Sequence, residues 1–150
     1  MGRGPGDMDA EDRGPWPVVR GSTEAEMSVT SYRDLRVWRL AIDWVAAVYR
    51  TSGRWPSEER FGLIAQVRRA AVSIPSNIAE GAERRTTGEF MQFLGIAQSS
   101  LAEAETQLII AHRLGFLTEP ELTTLLKDAA DIGRMAAGLK TSLKTKASRR

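Results

Sequence analysis

The chain contains no cysteine and only one histidine among its 150 residues. Without thiols it can form neither a disulfide nor a cysteine-ligated metal site, and the single imidazole of His112 leaves little for metal binding or general-base catalysis. No apolar run approaches the roughly 18 residues that a membrane helix needs, and the N-terminus lacks the apolar core of a signal peptide. The composition therefore predicts a cytoplasmic protein with no metal, no cofactor and no membrane contact.

The charges are divided unevenly along the chain. Residues 1–31 carry three arginines against six acidic residues, a net charge of −3, whereas residues 32–150 carry 18 basic against 13 acidic residues, a net charge of +5. A basic body favours polyanionic partners, but a charge of this size does not by itself establish nucleic-acid binding.

The chain is predicted to contain one domain between two unstructured ends. Residues 1–30 crowd Gly, Pro and acidic residues together without periodicity, which predicts a disordered acidic leader. Met8 and Met27 are candidate alternative starts of translation within it. Residues 31–144 form the expected folded part, and residues 145–150 form a basic tail that is expected to fray.

Helix start and stop signals divide the folded part into four segments. The expected N-caps of these segments are, in order, Ser31, Ser57, Thr86 and Thr118. Glu89 and Glu121 complete capping boxes on the third and fourth segments, Gly81 is an expected left-handed stop after the second, and Gly115 is expected to stop the third. Short loops between long helices favour antiparallel neighbours. The predicted fold is therefore all-α, an antiparallel up-down four-helix bundle.

The first segment carries two apolar stripes. One stripe comprises Leu35, Trp38, Ile42, Val45 and Tyr49, and the other comprises Val37, Ala41, Trp44 and Val48. An apolar face this wide exceeds what one neighbouring helix covers. It predicts burial on two sides and a subunit interface, formed by Val37, Trp38, Ala41, Trp44 and Val48.

The stretch RRAAVSIPSNIAEG, at residues 68–81, has the apolar spacing of a helix but contains Pro75. Proline cannot donate to the carbonyl four residues earlier, which predicts a kink. Ser73, Ser76 and Asn77 are short polar residues that can satisfy backbone groups near the kink, and Glu80 and Gly81 close the segment. The alternative is a polar stripe that contacts a ligand or a partner.

Arg68 falls inside the apolar arc of this segment. Because an unpaired buried charge is costly, Arg68 is expected to pair with Glu103 or Glu105 on the third segment. The alternative is an arginine whose stem packs at the rim of the core while its head reaches water.

Basic residues are the candidates for nucleic-acid binding. They are Arg69, Arg84, Arg85, Lys140 and Lys144. A run of like charges is usually a solvated face. In a homo-oligomer, however, symmetry would repeat these charges and produce a polyanion-binding surface.

Two stretches of the sequence carry a resemblance to a known family. They are RDLRVWRLAIDWVAAVY and RFGLIAQVRRAAVSIPSNIAEGAERRTTGEFMQFLGIAQSSLAEAETQL. In these stretches the chain resembles the four-helix-bundle proteins related to the 23S ribosomal RNA intervening-sequence protein, over about residues 31–143. The resemblance implies a bacterial, non-enzymatic antiparallel bundle that assembles as a ring-like homopentamer. One relative, the accessory variability protein of diversity-generating retroelements, binds nucleic acid with a partner reverse transcriptase.

Enzymatic motifs do not emerge from the sequence. A di-iron bundle needs Glu-x-x-His pairs, but His112 is preceded at that spacing by Ile109. The stretch GRWPSEERFG lacks the strand and lysine of a phosphate-binding loop. We therefore expect no catalytic residue and no metal ligand. The expected function is that of an oligomeric scaffold or adaptor that binds RNA or DNA, and the alternative is a protein-interaction module without nucleic-acid affinity.

Overall fold

The computed structural model describes residues 31–149, and all regular structure in this range is helical. The four α-helices are α1 (Arg36–Ser52), α2 (Leu63–Ala82), α3 (Thr87–Arg113) and α4 (Glu119–Ser148). Short 3-10 turns at Tyr32–Asp34 and Ser57–Glu59 precede α1 and α2. The predicted four-helix, all-α class is confirmed, and α4 continues past the expected end of the bundle at residue 144. The predicted leader, residues 1–30, lies outside the described residues.

The helices form a closed square in which each packs on the next and α4 packs back on α1. The indole Nε1 of Trp44 donates to the carbonyl of Leu125 over 2.9 Å, and Arg54 at the end of α1 pairs with Glu121 at the start of α4 over 2.5 Å. Residue numbers therefore increase along α1 in the direction in which they decrease along α4, so these two helices are antiparallel. An up-down four-helix bundle fits this arrangement.

The two later helices begin where the sequence predicts, and α3 also ends where it predicts. The hydroxyl of Thr86 accepts from the N–H of Glu89 over 3.2 Å, but the Glu89 carboxylate accepts no bond in return among the described residues. The predicted capping box is therefore complete only at α4, between Thr118 and Glu121. After α3, Gly115 adopts a φ of +81°, which a residue with a side chain rarely reaches. Two backbone hydrogen bonds of 2.9 Å close that helix end. Local signals alone therefore determine the turn between α3 and α4.

The predicted starts of α1 and α2 are wrong. The hydroxyl of Ser31 accepts from the N–H of Arg33 and caps a 3-10 turn, and α1 begins only at Arg36. Ser57 likewise opens a 3-10 turn, and the carboxylate of Glu59 accepts from the first N–H of α2 over 3.0 Å. The hydroxyl of Ser31 therefore caps a 3-10 turn instead of α1, while the hydroxyl of Ser57 forms no capping hydrogen bond among the described residues.

Gly81 does not end α2 with a left-handed residue, as the sequence suggested. The helix continues through it to Ala82, and within residues 31–149 only Gly115 has a positive φ. A Cβ added at Gly81 would lie 2.6 Å from the Cβ of Phe93 on α3. The glycine is needed because α2 and α3 approach each other too closely there for a side chain.

The predicted subunit interface on α1 is also wrong. Each of its five residues is between 0 and 9% exposed within the single chain, namely Val37, Trp38, Ala41, Trp44 and Val48. These side chains form the core together with the facing residues of the other helices. Buried side chains have almost no surface left to present to a second copy.

Candidate nucleic-acid interface

The charge on α4 changes sign along its length. Residues 119–133 contain four acidic residues and one lysine, whereas residues 134–148 contain four basic residues and no acidic residue. Negative charge near the N-terminus and positive charge near the C-terminus of a helix both complement the helix dipole. The result is a concentration of positive charge at one end of the bundle.

The turn between α2 and α3 lies at the same end. It carries Arg84 and Arg85, the last turns of α4 carry Lys140, Lys144 and Lys146, and Arg149 follows as the C-cap of α4. We call these six residues the basic end. The up-down topology assembles them, because the end of α2, the start of α3 and the end of α4 coincide.

Two contacts with α3 show how the basic end is arranged. The guanidinium of Arg84 lies 4.8 Å from the ring centroid of Phe93, and the Nζ of Lys140 lies 3.2 Å from the Oε1 of Gln98. Phe93 and Gln98 are five positions apart, which on a helix is about 7.5 Å along the axis and about 140° around it. Arg84 and Lys140 therefore flank the first half of α3 from opposite sides.

The charges of the basic end differ in their availability. Arg84 forms an exposed pair of 3.0 Å with Glu80, a type of contact that contributes little and leaves the cation accessible. Arg85 and Lys144 are exposed and have no ion-pair partner within the part of the chain that the structure describes. These two cations are free to contact a phosphate.

Arg69 stands apart from the other predicted cations. It is exposed in the middle of α2, thirteen residues before the helix ends at Ala82, which corresponds to about 20 Å. The structure thus brings Arg84, Arg85, Lys140 and Lys144 to one end and leaves Arg69 outside it.

The predicted pairing of Arg68 with Glu103 or Glu105 is wrong. Its Nε donates to the hydroxyl of Ser52 over 2.9 Å, its Nη2 donates to the carbonyl of Tyr49 over 3.1 Å, and its guanidinium stacks 4.4 Å from the Tyr49 ring centroid. Arg68 faces the C-terminal end of α1, whose carbonyl groups carry partial negative charge. Glu103 instead accepts from Gln107 on its own helix.

The proline motif contains predicted local hydrogen bonds between Asn77 and Ser73, but the exposed Ser76 forms none among the described residues. The amide of Asn77 donates to the carbonyl and the hydroxyl of Ser73, over 2.7 and 2.9 Å. The Ser73 hydroxyl also lies 2.8 Å from that of Ser100 on α3. Pro75 is buried, and α2 runs through it without interruption. The polar residues of the motif therefore join α2 to α3.

Two buried polar groups were missed from the sequence. The Nε1 of Trp55 and the Oε1 of Gln107 have no hydrogen-bond partner among residues 31–149. Gln107 falls three positions after Ala104 and four before Ala111, both buried, so the spacing of α3 could have placed it in the core. Trp55 lies in a loop without periodicity and packs 6.2 Å from Phe116.

Two carboxyl groups have displaced pKa values, and both lie away from the basic end. Burial raises the pKa of Glu105, and the hydrogen bonds from the backbone and the hydroxyl of Thr118 lower the pKa of Glu121. No cluster of acidic or histidine side chains within the described range could hold a metal ion. Nor does that range contain a helix long and apolar enough to cross a membrane.

Comparison with known proteins gives a family and a fold. The family model of the 23S rRNA-intervening sequence protein matches residues 33–138. A similar solved structure is a protein with unknown function from the S23 ribosomal protein family of Bacteroides thetaiotaomicron. It aligns with a TM-score of 0.66 and 20% identity over 70% of this chain and 95% of its own, which supports the fold alone. No curated protein matches the chain.

Proposed function

The chain belongs to the 23S rRNA-intervening sequence protein family, and from that premise we propose that it is a non-enzymatic helical scaffold that binds RNA or DNA through its basic end. The observation that carries the proposal is the second half of α4, with four basic and no acidic residues, beside the exposed Arg84-Arg85 turn. Lysine and arginine side chains that neutralise phosphates supply most of the affinity of such proteins.

Binding of this kind is expected to be independent of base sequence. Phosphate contacts position a protein on nucleic acid but carry no sequence information. Base stacking needs free aromatic faces. The exposed ring of Tyr49 is covered on one side by Arg68, and the ring of Phe61, which is 89% exposed, lies just before α2, at the opposite end of the bundle from the basic end. Unrelated RNA sequences should therefore bind with similar affinity.

Self-association strengthens the proposal. A homo-oligomer, a pentamer according to the family resemblance, would carry one basic end per subunit and contact several phosphates at once. Such a scaffold suits a partner enzyme that works on nucleic acid in the cytoplasm, a reverse transcriptase being one example.

The test is fluorescence anisotropy with two unrelated labelled RNAs and one DNA at low salt. The double variants Lys140→Ala/Lys144→Ala and Arg84→Ala/Arg85→Ala should each weaken binding about tenfold or more on all three probes. Arg69→Ala removes one exposed cation outside the basic end and is the control. Absence of binding by the wild type, or an equal loss in the control, would overturn the proposal.

A protein-interaction module is the second candidate, and one observation favours it. Ile96, Ile110 and Leu114 lie on one outer face of α3 and are 45 to 56% exposed. Exposed apolar side chains on one face can serve as a contact surface for another protein. This candidate would stand alone if no nucleic acid is retained and Ile110→Ser abolishes binding to a protein partner.

A further inference from the structure

The last turns of α4 extend beyond the buried core. The final buried residue of the helix is Ala136, and residues 137–148, which we call the α4 terminal segment, contain no buried residue. At about 1.5 Å per residue the segment is about 18 Å long. Because Trp44 bonds to Leu125 and α1 begins eight residues before Trp44, α1 covers α4 only as far as about residue 133. The α4 terminal segment is therefore open to another molecule.

The α4 terminal segment carries a row of cations on each of two opposite sides. Lys140 faces α3, where its Nζ contacts Gln98, and Lys144 lies one turn later on the same side. Lys146 is exposed and lies about 160° around the helix from Lys144, and Arg149 follows it as the C-cap. The segment contains no acidic residue. Its two rows therefore keep their positive charge.

The crest between the two rows is low and uncharged. It consists of Gly138, Thr141 and Thr145, all of which are exposed. The hydroxyls of Thr141 and Thr145 donate to carbonyl groups one turn earlier, over 3.1 and 3.0 Å, so both side chains bond to their own helix. A Cβ added at Gly138 meets no atom within 4 Å, so no contact in the described chain requires this glycine, although it costs about 1 kcal/mol relative to alanine. A crest of this kind lets the backbone approach another molecule closely.

Duplex DNA matches this arrangement in both charge and size. Its major groove is about 12 Å wide and about 8.5 Å deep and admits an α-helix, whose diameter with side chains is about 10–12 Å. Phosphates of the two strands border the groove, so a helix inside it has negative charge on both sides. The minor groove of DNA is only about 6 Å wide, and the major groove of duplex RNA is too deep and narrow for side chains to read.

We propose that the α4 terminal segment enters the major groove of duplex DNA, with its two rows of cations against the two phosphate backbones. The inference rests on the proposed function and names its substrate class. A helix of about 18 Å spans about half a turn of DNA. The crest then faces the base edges, where threonine hydroxyls pair with either donors or acceptors and add little sequence preference.

Fluorescence anisotropy on the full chain tests the inference with three probes of one sequence, namely duplex DNA, duplex RNA and single-stranded RNA. At equal salt the wild type should bind the duplex DNA at least about tenfold more tightly than the duplex RNA. Thr141→Trp places a bulky side chain on the crest without changing the charge. It should therefore weaken binding to duplex DNA about tenfold and leave the affinities for both RNA probes unchanged.

Thr106→Trp on α3 is the matched control. Thr106 is also exposed, and its hydroxyl also donates to a carbonyl one turn earlier, over 2.8 Å, but it lies outside the basic end. This variant should bind all three probes as the wild type does, and melting curves check that both tryptophan variants fold.

Chemical protection of DNA by the wild type gives a second measurement that needs no variant. Guanine N7 lies in the major groove, so the bound protein should reduce its methylation by dimethyl sulfate. Equal affinity for duplex DNA and duplex RNA, guanines that stay fully reactive, or a folded Thr141→Trp variant that binds duplex DNA like the wild type would each overturn this inference and leave the proposed function standing. Absence of binding to every probe would overturn both.

Discussion

Replacing Gly81 by alanine has two effects on the free energy of unfolding, and these effects have opposite signs. Within a helix interior, alanine is about 1 kcal/mol more favourable than glycine, so helix propensity alone predicts a more stable protein. The structure predicts the reverse, because the new Cβ would lie 2.6 Å from the Cβ of Phe93 and 3.3 Å from the carbonyl oxygen of Phe90.

The size of the effect follows from which atoms collide. A Cβ is fixed by its backbone and cannot rotate away, so α2 and α3 would have to separate by about 1 Å to restore a normal carbon–carbon contact. Overpacking of this kind costs typically about 1–3 kcal/mol. After subtracting the gain in propensity of about 1 kcal/mol, Gly81→Ala should lower the free energy of unfolding by up to about 2 kcal/mol.

Gly138 on α4 provides the matched control. A Cβ added there meets no atom within 4 Å, so Gly138→Ala should raise the free energy of unfolding by up to about 1 kcal/mol. Urea unfolding followed by far-UV circular dichroism, at one protomer concentration for all proteins, measures both changes. If Gly81→Ala stabilises the chain as much as Gly138→Ala does, the close approach of α2 and α3 is refuted.

Three further substitutions test other contacts. Arg68→Ala should lower the free energy of unfolding by about 2 kcal/mol in urea unfolding, because it removes two charge-assisted hydrogen bonds and the stacking contact with the Tyr49 ring. Arg68→Lys should recover less than half of that loss. Because burial raises the pKa of Glu105, its contribution to stability falls as pH rises through that pKa. Glu105→Gln should therefore be more stable than the wild type at about pH 7 and equally stable at about pH 3 in thermal melts. Thr118→Ala should cost about 1 kcal/mol in urea unfolding and, in an NMR titration, return the lowered pKa of Glu121 towards its ordinary range. The stability due to the Glu121 carboxylate is present at neutral pH and is lost as pH falls through its lowered pKa.

Local signals predicted the fold where the backbone itself carries the constraint. Thr118 and Gly115 act through hydrogen bonds and dihedral angles of their own neighbours, so the sequence identified both correctly. Gly81 looks the same in the sequence, but its reason is a contact with another helix. Such a contact cannot be read from the residues of α2 alone.

The candidate site likewise combines features that the sequence shows locally with features that depend on how the helices pack. The basic second half of α4 is visible in the sequence, but its proximity to Arg84 follows only from the topology of the bundle. The same topology places Arg69 away from Arg84 and from the end of α4. Two apolar stripes on α1 were correctly recognised, yet a helical pattern does not say which stripe faces its own core. Arg68 was misassigned because neutral carbonyl groups at the end of α1 compete with carboxylates as its partners.

The salt dependence of RNA affinity tests the central claim most directly. For single-stranded RNA the logarithm of the association constant should fall linearly with the logarithm of the salt concentration, by about 0.7 per phosphate neutralised. Lys140→Ala/Lys144→Ala removes two such contacts and should reduce the slope by about 1.4, whereas Arg69→Ala should leave it unchanged. Equal slopes for the wild type and the lysine variant, or no binding at low salt, would contradict the assignment of the basic end as a phosphate-binding surface.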